Sequence, residues 1–206
     1  MLLSLWVATI AVLLSLILGA MCAFALARFQ WFRQKDIEFF IASTRMLPPV
    51  AVIIPYYSVF IQFHLLDNSF ALAIVYLLID LPLVIWLLLG FFRTIPKELD
   101  DAARIDGCGA IKTFLYVDLP LVKSGLLTAA VLSFLFTWGE LFFAFILTSV
   151  NRTFPVALLS FLAVGLEVQY GPMAAAGVIA TIPSILLAVF ARRALIEGFR
   201  NLAGIH

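Results

Sequence analysis

Long stretches without charge constrain this chain more than any other feature. Residues 1–27 carry none, and neither do residues 46–66, although Pro48, Pro49 and Pro55 fall inside the second stretch. Residues 68–92 are interrupted only by Asp80, residues 124–151 only by Glu140, and residues 168–191 not at all. A helix that crosses a bilayer needs about 20 apolar residues, because the hydrocarbon core is about 30 Å thick and each residue rises about 1.5 Å. The runs predict an all-α integral membrane protein of one domain, 1–206, with five transmembrane helices at 2–27, 46–64, 69–92, 122–148 and 173–192. Residues 153–166 are also uncharged but too few to cross, and read as a re-entrant or interfacial segment. The first run is not a signal peptide, since its positive charges, Arg28, Arg33 and Lys35, follow the apolar core instead of preceding it.

Composition excludes the alternatives. Apolar residues make up 65% of the chain and charged residues 12%, against about 45–50% and 25% in soluble domains. So few charges cannot cover a water-soluble globule. A net charge of +1 supplies no basic face for nucleic acid. Cys22 and Cys108 show no metal-ligand spacing and read as packing residues. No cofactor is expected.

Orientation follows from Lys and Arg. The 28–36 and 93–123 loops and the tail together hold eleven of them, the opposite side holds Arg152, and Arg45 sits near a span edge. The N-terminus is therefore outside and the C-terminus inside. Five spans with an exterior N-terminus suggest that a first helix is absent from this sequence.

The 93–121 loop is the longest polar stretch. Pro96 suits a helix start, Glu98, Asp100 and Asp101 suit its first turn, and Gly107 suits its end. The loop predicts a short helix over 96–106, with Leu99, Ala102, Ala103 and Asp106 on one face. That face is small and lightly apolar. It fits docking into a groove of a cytosolic partner as well as it fits a solvated helix on the headgroups.

The run Asp101-Ala102-Ala103, three residues, Gly107, nine residues, then Val117-Asp118-Leu119-Pro120 resembles the EAA loop of ABC-importer permeases. Asp101 stands for the usual Glu and Val117 for the usual Ile. Ile95 through Gly107, Trp138-Gly139-Glu140, and Arg193 through Gly204 look like the carbohydrate-uptake branch, most of all the second permease of maltose-type systems. Such permeases have six spans. The resemblance implies ATPase subunits, a second permease subunit, an extracytoplasmic sugar-binding protein and a sugar substrate as partners, in a prokaryotic cytoplasmic (inner) membrane. The chain has no Gly-Lys-Ser/Thr phosphate loop, so it is not itself an ATP-hydrolysing enzyme. The resemblance assigns ATPase coupling to Glu98, Leu99, Asp101, Ala102, Ala103, Asp106 and Gly107. It extends that coupling role to Leu119 and Pro120, which would set the angle at which the chain re-enters the membrane.

Carboxylates inside a bilayer cost about 2.5–3.5 kcal/mol on insertion scales, so Asp80 and Glu140 face protein or water. They belong either to the translocation path or to interhelical bonds, with Arg45 a possible ion partner of either. Trp138 and Phe143 are path candidates because sugar faces stack on rings; Phe is also an ordinary packing residue. Arg152, Glu167 and Gln169 are candidates for contact with the binding protein. Outside this class, the competing reading is a secondary transporter or channel that uses Asp80 and Glu140 as an ion relay. A truncated, non-transporting remnant also fits the length.

Overall fold

The uncharged stretches become helices. The computed structural model of the chain describes residues 1–162 and 170–202. The expectations for Glu167, Gln169 and Gly204 therefore fall outside the described residues. Three helices among them are long and apolar enough to cross a membrane: α1 (Leu2–Arg28), α4 (Ser69–Thr94), and the first part of α11 (Tyr170–Leu202).

The second and fourth crossings are not the unbroken spans expected. The second is α2 (Gln34–Ser43) and a 3-10 turn (Thr44–Met46), followed at an 88° bend by α3 (Pro49–Gln62). The cause is local. Leu47 and Pro48 are extended, as residues before proline are driven to be. At 14 residues, α3 alone spans roughly 21 Å, less than the hydrocarbon core.

The fourth crossing follows the loop helices α5 (Lys97–Ile105) and α6 (Ala110–Thr113), a π-turn (Phe114–Asp118) and α7 (Leu119–Leu121). It begins as α8 (Lys123–Trp138) at a 77° bend, directly after Leu119-Pro120. It stops at Gly139 and resumes as α9 (Phe142–Leu147). The short 153–166 run supplies α10 (Phe154–Leu159), whose first N–H is accepted by Ser4 Oγ at 2.6 Å, tying it to the start of α1. Pro55, Pro82 and Pro183 lie inside continuous helices.

The centre of the fold is α1 against α4, with α8 across both. The buried side of α1 is small-residued: Ala8, Ala11, Ser15, Gly19 and Ala23 recur at three- and four-residue spacing. In lipid there is no hydrophobic drive between helices, so close backbone approach and dispersion replace it. At Gly19 the approach is close: a Cβ there would sit 2.7 Å from Val84 Cγ1. Phe24, Phe92 and Phe114 close the cytoplasmic end of this interface, with ring centroids 4.9–6.3 Å apart.

Candidate functional site

The loop helix forms nearly as the sequence predicts, Lys97–Ile105. Its end is set by Gly107 at φ +80°, a left-handed conformation that glycine adopts without penalty. Cys108 N–H reaches Ala103 O at 2.9 Å and Gly107 N–H reaches Arg104 O at 3.0 Å. That pairing satisfies the last carbonyls as a Schellman motif does.

The exposed face differs from the one expected. Ala103 is turned inward and buried, together with Asp100. Glu98, Asp101, Ala102 and Ile105 point outward, and Ile105 is 87% exposed. These four share one helical face by the i, i+3, i+4, i+7 rule. Leu99, Asp106 and Gly107 are exposed beside that face or at the helix end; further along the chain Pro120 is exposed and Leu119 half-buried.

The reason for the rotation is Arg28, at the end of α1. Its Nε lies 2.8 Å from Asp100 Oδ2, its Nη2 donates to Asp118 Oδ1 at 2.6 Å, and its Nη1 donates to the Ile95 carbonyl at 3.1 Å. Side-chain exposure is 3% for Arg28, 7% for Asp100 and 0% for Asp118. Burial and the neighbouring Asp118 charge raise the Asp100 carboxyl above its ordinary range, against the pull of Arg28. One guanidinium thus joins the first span, Ile95 just ahead of the loop helix, the helix itself at Asp100, and the π-turn before α8. Sequence reasoning used Arg28 only as a topological charge, and Asp100 and Asp118 only as a turn residue and a motif filler. The signal available was Asp118, an acid inside an otherwise apolar Val-x-Leu-Pro run.

On the opposite side of the membrane a second polar clamp joins two loops. Asp67 Oδ1 accepts from the backbone N–H groups of Ser149, Val150 and Asn151 at 2.6, 2.7 and 3.1 Å. Asp67 Oδ2 accepts from Ser149 Oγ at 2.6 Å. These bonds hold its carboxyl down at about 2. Arg152, beside the clamp, donates from Nε to the Ser149 carbonyl at 2.8 Å.

Of the four path candidates, Glu140 and Phe143 are joined by a hydrogen bond, while Asp80 and Trp138 are each held by other partners. Asp80 is fully buried and accepts a hydrogen bond from Ser133 of α8. Glu140 is half-buried and accepts from the N–H groups of Phe143 and Ala144 at 3.1 and 3.3 Å, across the break before α9. Trp138 is buried, stacked on Phe134 at 5.8 Å, and donates from Nε1 to the Ala180 carbonyl of α11 at 3.1 Å. Phe143 lines a cleft of about 560 Å³ between α3 and α4 that Arg45 and Tyr56 also line. No cluster of three or more metal-ligating side chains occurs among the described residues.

A bundle of bent and straight apolar helices, with a short polar helix pinned beneath it by buried charge, defines a membrane component that presents one rigid element to the aqueous phase. Residues 15–201 match the family described as the binding-protein-dependent transport system inner membrane component, and the chain belongs to it. It is a multi-pass inner-membrane permease of the ABC-transporter class. It is 32% identical over 198 residues to a putative ABC transporter permease protein of Streptomyces antibioticus, covering 95% of this chain and 86% of that one. It is 30% identical over 197 residues to the trehalose/maltose transport system permease protein of Thermococcus litoralis, covering 95% and 71%. It is 32% identical over 201 residues to the trehalose transport system permease protein of Mycobacterium tuberculosis, covering 96% and 73%. The fold matches a crystal structure of a bacterial ABC transporter that imports the acidic polysaccharide alginate, with TM-score 0.75 and 22% identity over 93% of this chain and 72% of that one.

Proposed function

We propose that the chain forms half of the translocation pathway of an ATP-driven saccharide importer and takes its energy from a separate ATPase. The remaining subunits would be a second permease and an extracytoplasmic sugar-binding protein. In this reading α5 seats its Glu98–Asp101–Ala102–Ile105 face in a cleft of the ATPase, with Leu99, Asp106 and Gly107 at the rim and Ala103 packing the helix from behind. Leu119 and Pro120 fix the bend through which movement enters α8.

The observation that carries this reading is the Arg28 hub. A lever transmits force only if it does not flex where it is attached. Here an exposed helix of nine residues is tied by buried charge to α1 and to the turn before α8. A solvated helix resting on headgroups needs no such anchorage. The names of the trehalose and trehalose/maltose relatives support a saccharide as cargo.

The test is co-expression with the ATPase, permease and binding-protein genes that neighbour this one. The expected result is co-purification of the ATPase and ATP-dependent uptake of trehalose or maltose into vesicles. Asp101→Lys should abolish ATPase retention while the permease still inserts. Undiminished retention in that variant removes α5 from the interface.

A further inference from the structure

Arg45 is an exposed cation set beside the middle of α4. It sits at the 88° bend between α2 and α3. The cleft it lines is walled by residues from Leu78 to Ile85, the middle of the 26-residue α4. The guanidinium is thus held near half depth in the bilayer. Among the described residues no carboxylate lies within ion-pair distance of it. Asp80 acts on it electrostatically, but Asp80 is fully buried and bonded to Ser133. Among the described residues its guanidinium lies over the face of Phe136, 4.7 Å from ring centroid to Cζ. A guanidinium at that depth facing lipid costs several kcal/mol on any scale, so charges so placed face water, protein or substrate.

The cleft is mostly apolar, with Thr44, Arg45 and Tyr56 as its polar lining residues. Its volume, about 560 Å³, lies within the range of small-molecule sites. The half-buried Tyr56 ring lines the cleft and is backed by Phe143, which is itself 5% exposed, with ring centroids 6.3 Å apart. Arginine brings five N–H donors in a fixed fork and no acceptor. Hydroxyl oxygens of a saccharide supply acceptors in that spacing, while the C–H face of a pyranose packs on aromatic rings. We propose that this cleft is a saccharide subsite on the translocation path, in which Arg45 donates to sugar hydroxyls and the half-buried Tyr56 flanks the sugar ring. This rests on the importer reading above and moves the path away from Glu140 and Trp138, which are occupied by bonds and packing within the chain, and from Asp80, which is fully buried.

The test uses the full chain in the assembled importer, with Cys22→Ser and Cys108→Ser removing the native thiols. Thr44→Cys then puts one thiol on the cleft wall. A water-soluble methanethiosulfonate should label it, and saturating trehalose or maltose should slow that labelling. Adding Arg45→Gln should remove the protection and raise the half-saturating sugar concentration about tenfold, the loss of one charge-assisted bond. Arg45→Lys should restore part of both. Equal labelling with and without sugar, or no labelling, overturns the subsite. So does a bifunctional reagent that joins Thr44→Cys to the second permease, since the cleft is then a subunit interface. If the parent chain moves neither sugar, the importer reading fails and the subsite falls with it. If the parent transports but Arg45→Gln has unchanged saturation, only the subsite fails.

Discussion

A single guanidinium sets the position of the cytoplasmic helix. Arg28 faces two carboxylates and a carbonyl in a nearly dry site. Arg28→Met leaves Asp100 and Asp118 buried without a cation, and breaking a buried pair in this way costs about 3–5 kcal/mol. Arg28→Lys keeps the charge but loses the fork, so it should recover only part of that. Thermal unfolding in detergent and ATP-driven uptake should both rank the parent above Lys and Lys above Met. Equal melting of all three removes the hub as an anchor. The Asp67 clamp gives a pH test. Its carboxyl lies at about 2 in the fold against an ordinary 3.8. A carboxyl depressed by folding contributes stability that is complete above its unfolded value and lost as pH falls through its folded one. The melting gap between the parent and Asp67→Asn should therefore hold from pH 6 to about pH 4 and narrow toward pH 2. A gap that does not change over this range shows that the charged carboxylate is not what joins the loops. Neither cluster was legible beforehand. Arg28 and Asp118 are 90 positions apart, and Asp67 and Ser149 are 82 apart. No local pattern encodes such pairings.

At the level of elements, what was legible had a local cause. The loop helix was expected over 96–106 and runs Lys97–Ile105, because a proline start, acidic first turn and glycine stop are all read within a few residues. Its orientation was not legible. Periodicity alone cannot say that Asp100 is drawn inward by Arg28, and that pull turns Ala103 in and Ile105 out. Charge-free length likewise located the spans but not their breaks. Leu47–Pro48, Val122 and Gly139 interrupt helices without introducing charge. Gly107 tests the element directly. A Cβ there meets nothing within 4 Å, so only the backbone resists substitution. A left-handed residue with a side chain costs about 1–2 kcal/mol. Gly107→Ala should weaken ATPase-coupled uptake modestly and Gly107→Val severely, with insertion and expression unchanged. Normal uptake in Gly107→Val would show that the fixed end of α5 is not needed for coupling.

Across the whole molecule, α4 is the spacer between the two polar clamps. It starts two residues after Asp67 and ends at Thr94, next to the Ile95 carbonyl that Arg28 holds. Its 26 residues extend roughly 39 Å, enough to cross the hydrocarbon core and reach into both interfaces. One clamp must then face each aqueous phase, and the Lys/Arg asymmetry says which is which. The hub lies among the loops that carry most of the positive charge, so it is cytoplasmic, and the Asp67–Ser149 clamp is external. Cys108 makes this testable with little disturbance. It is half-buried, directly beyond Gly107, and Cys22→Ser leaves it as the one remaining cysteine of the sequence. A membrane-impermeant maleimide should spare Cys108 in intact cells and label it in inverted vesicles. With Cys108→Ser added, Ser149→Cys should give the opposite pattern. Labelling of Cys108 from outside would invert the molecule, take the loop helix away from any cytosolic ATPase, and leave the buried charge around Arg28 without the role argued for it.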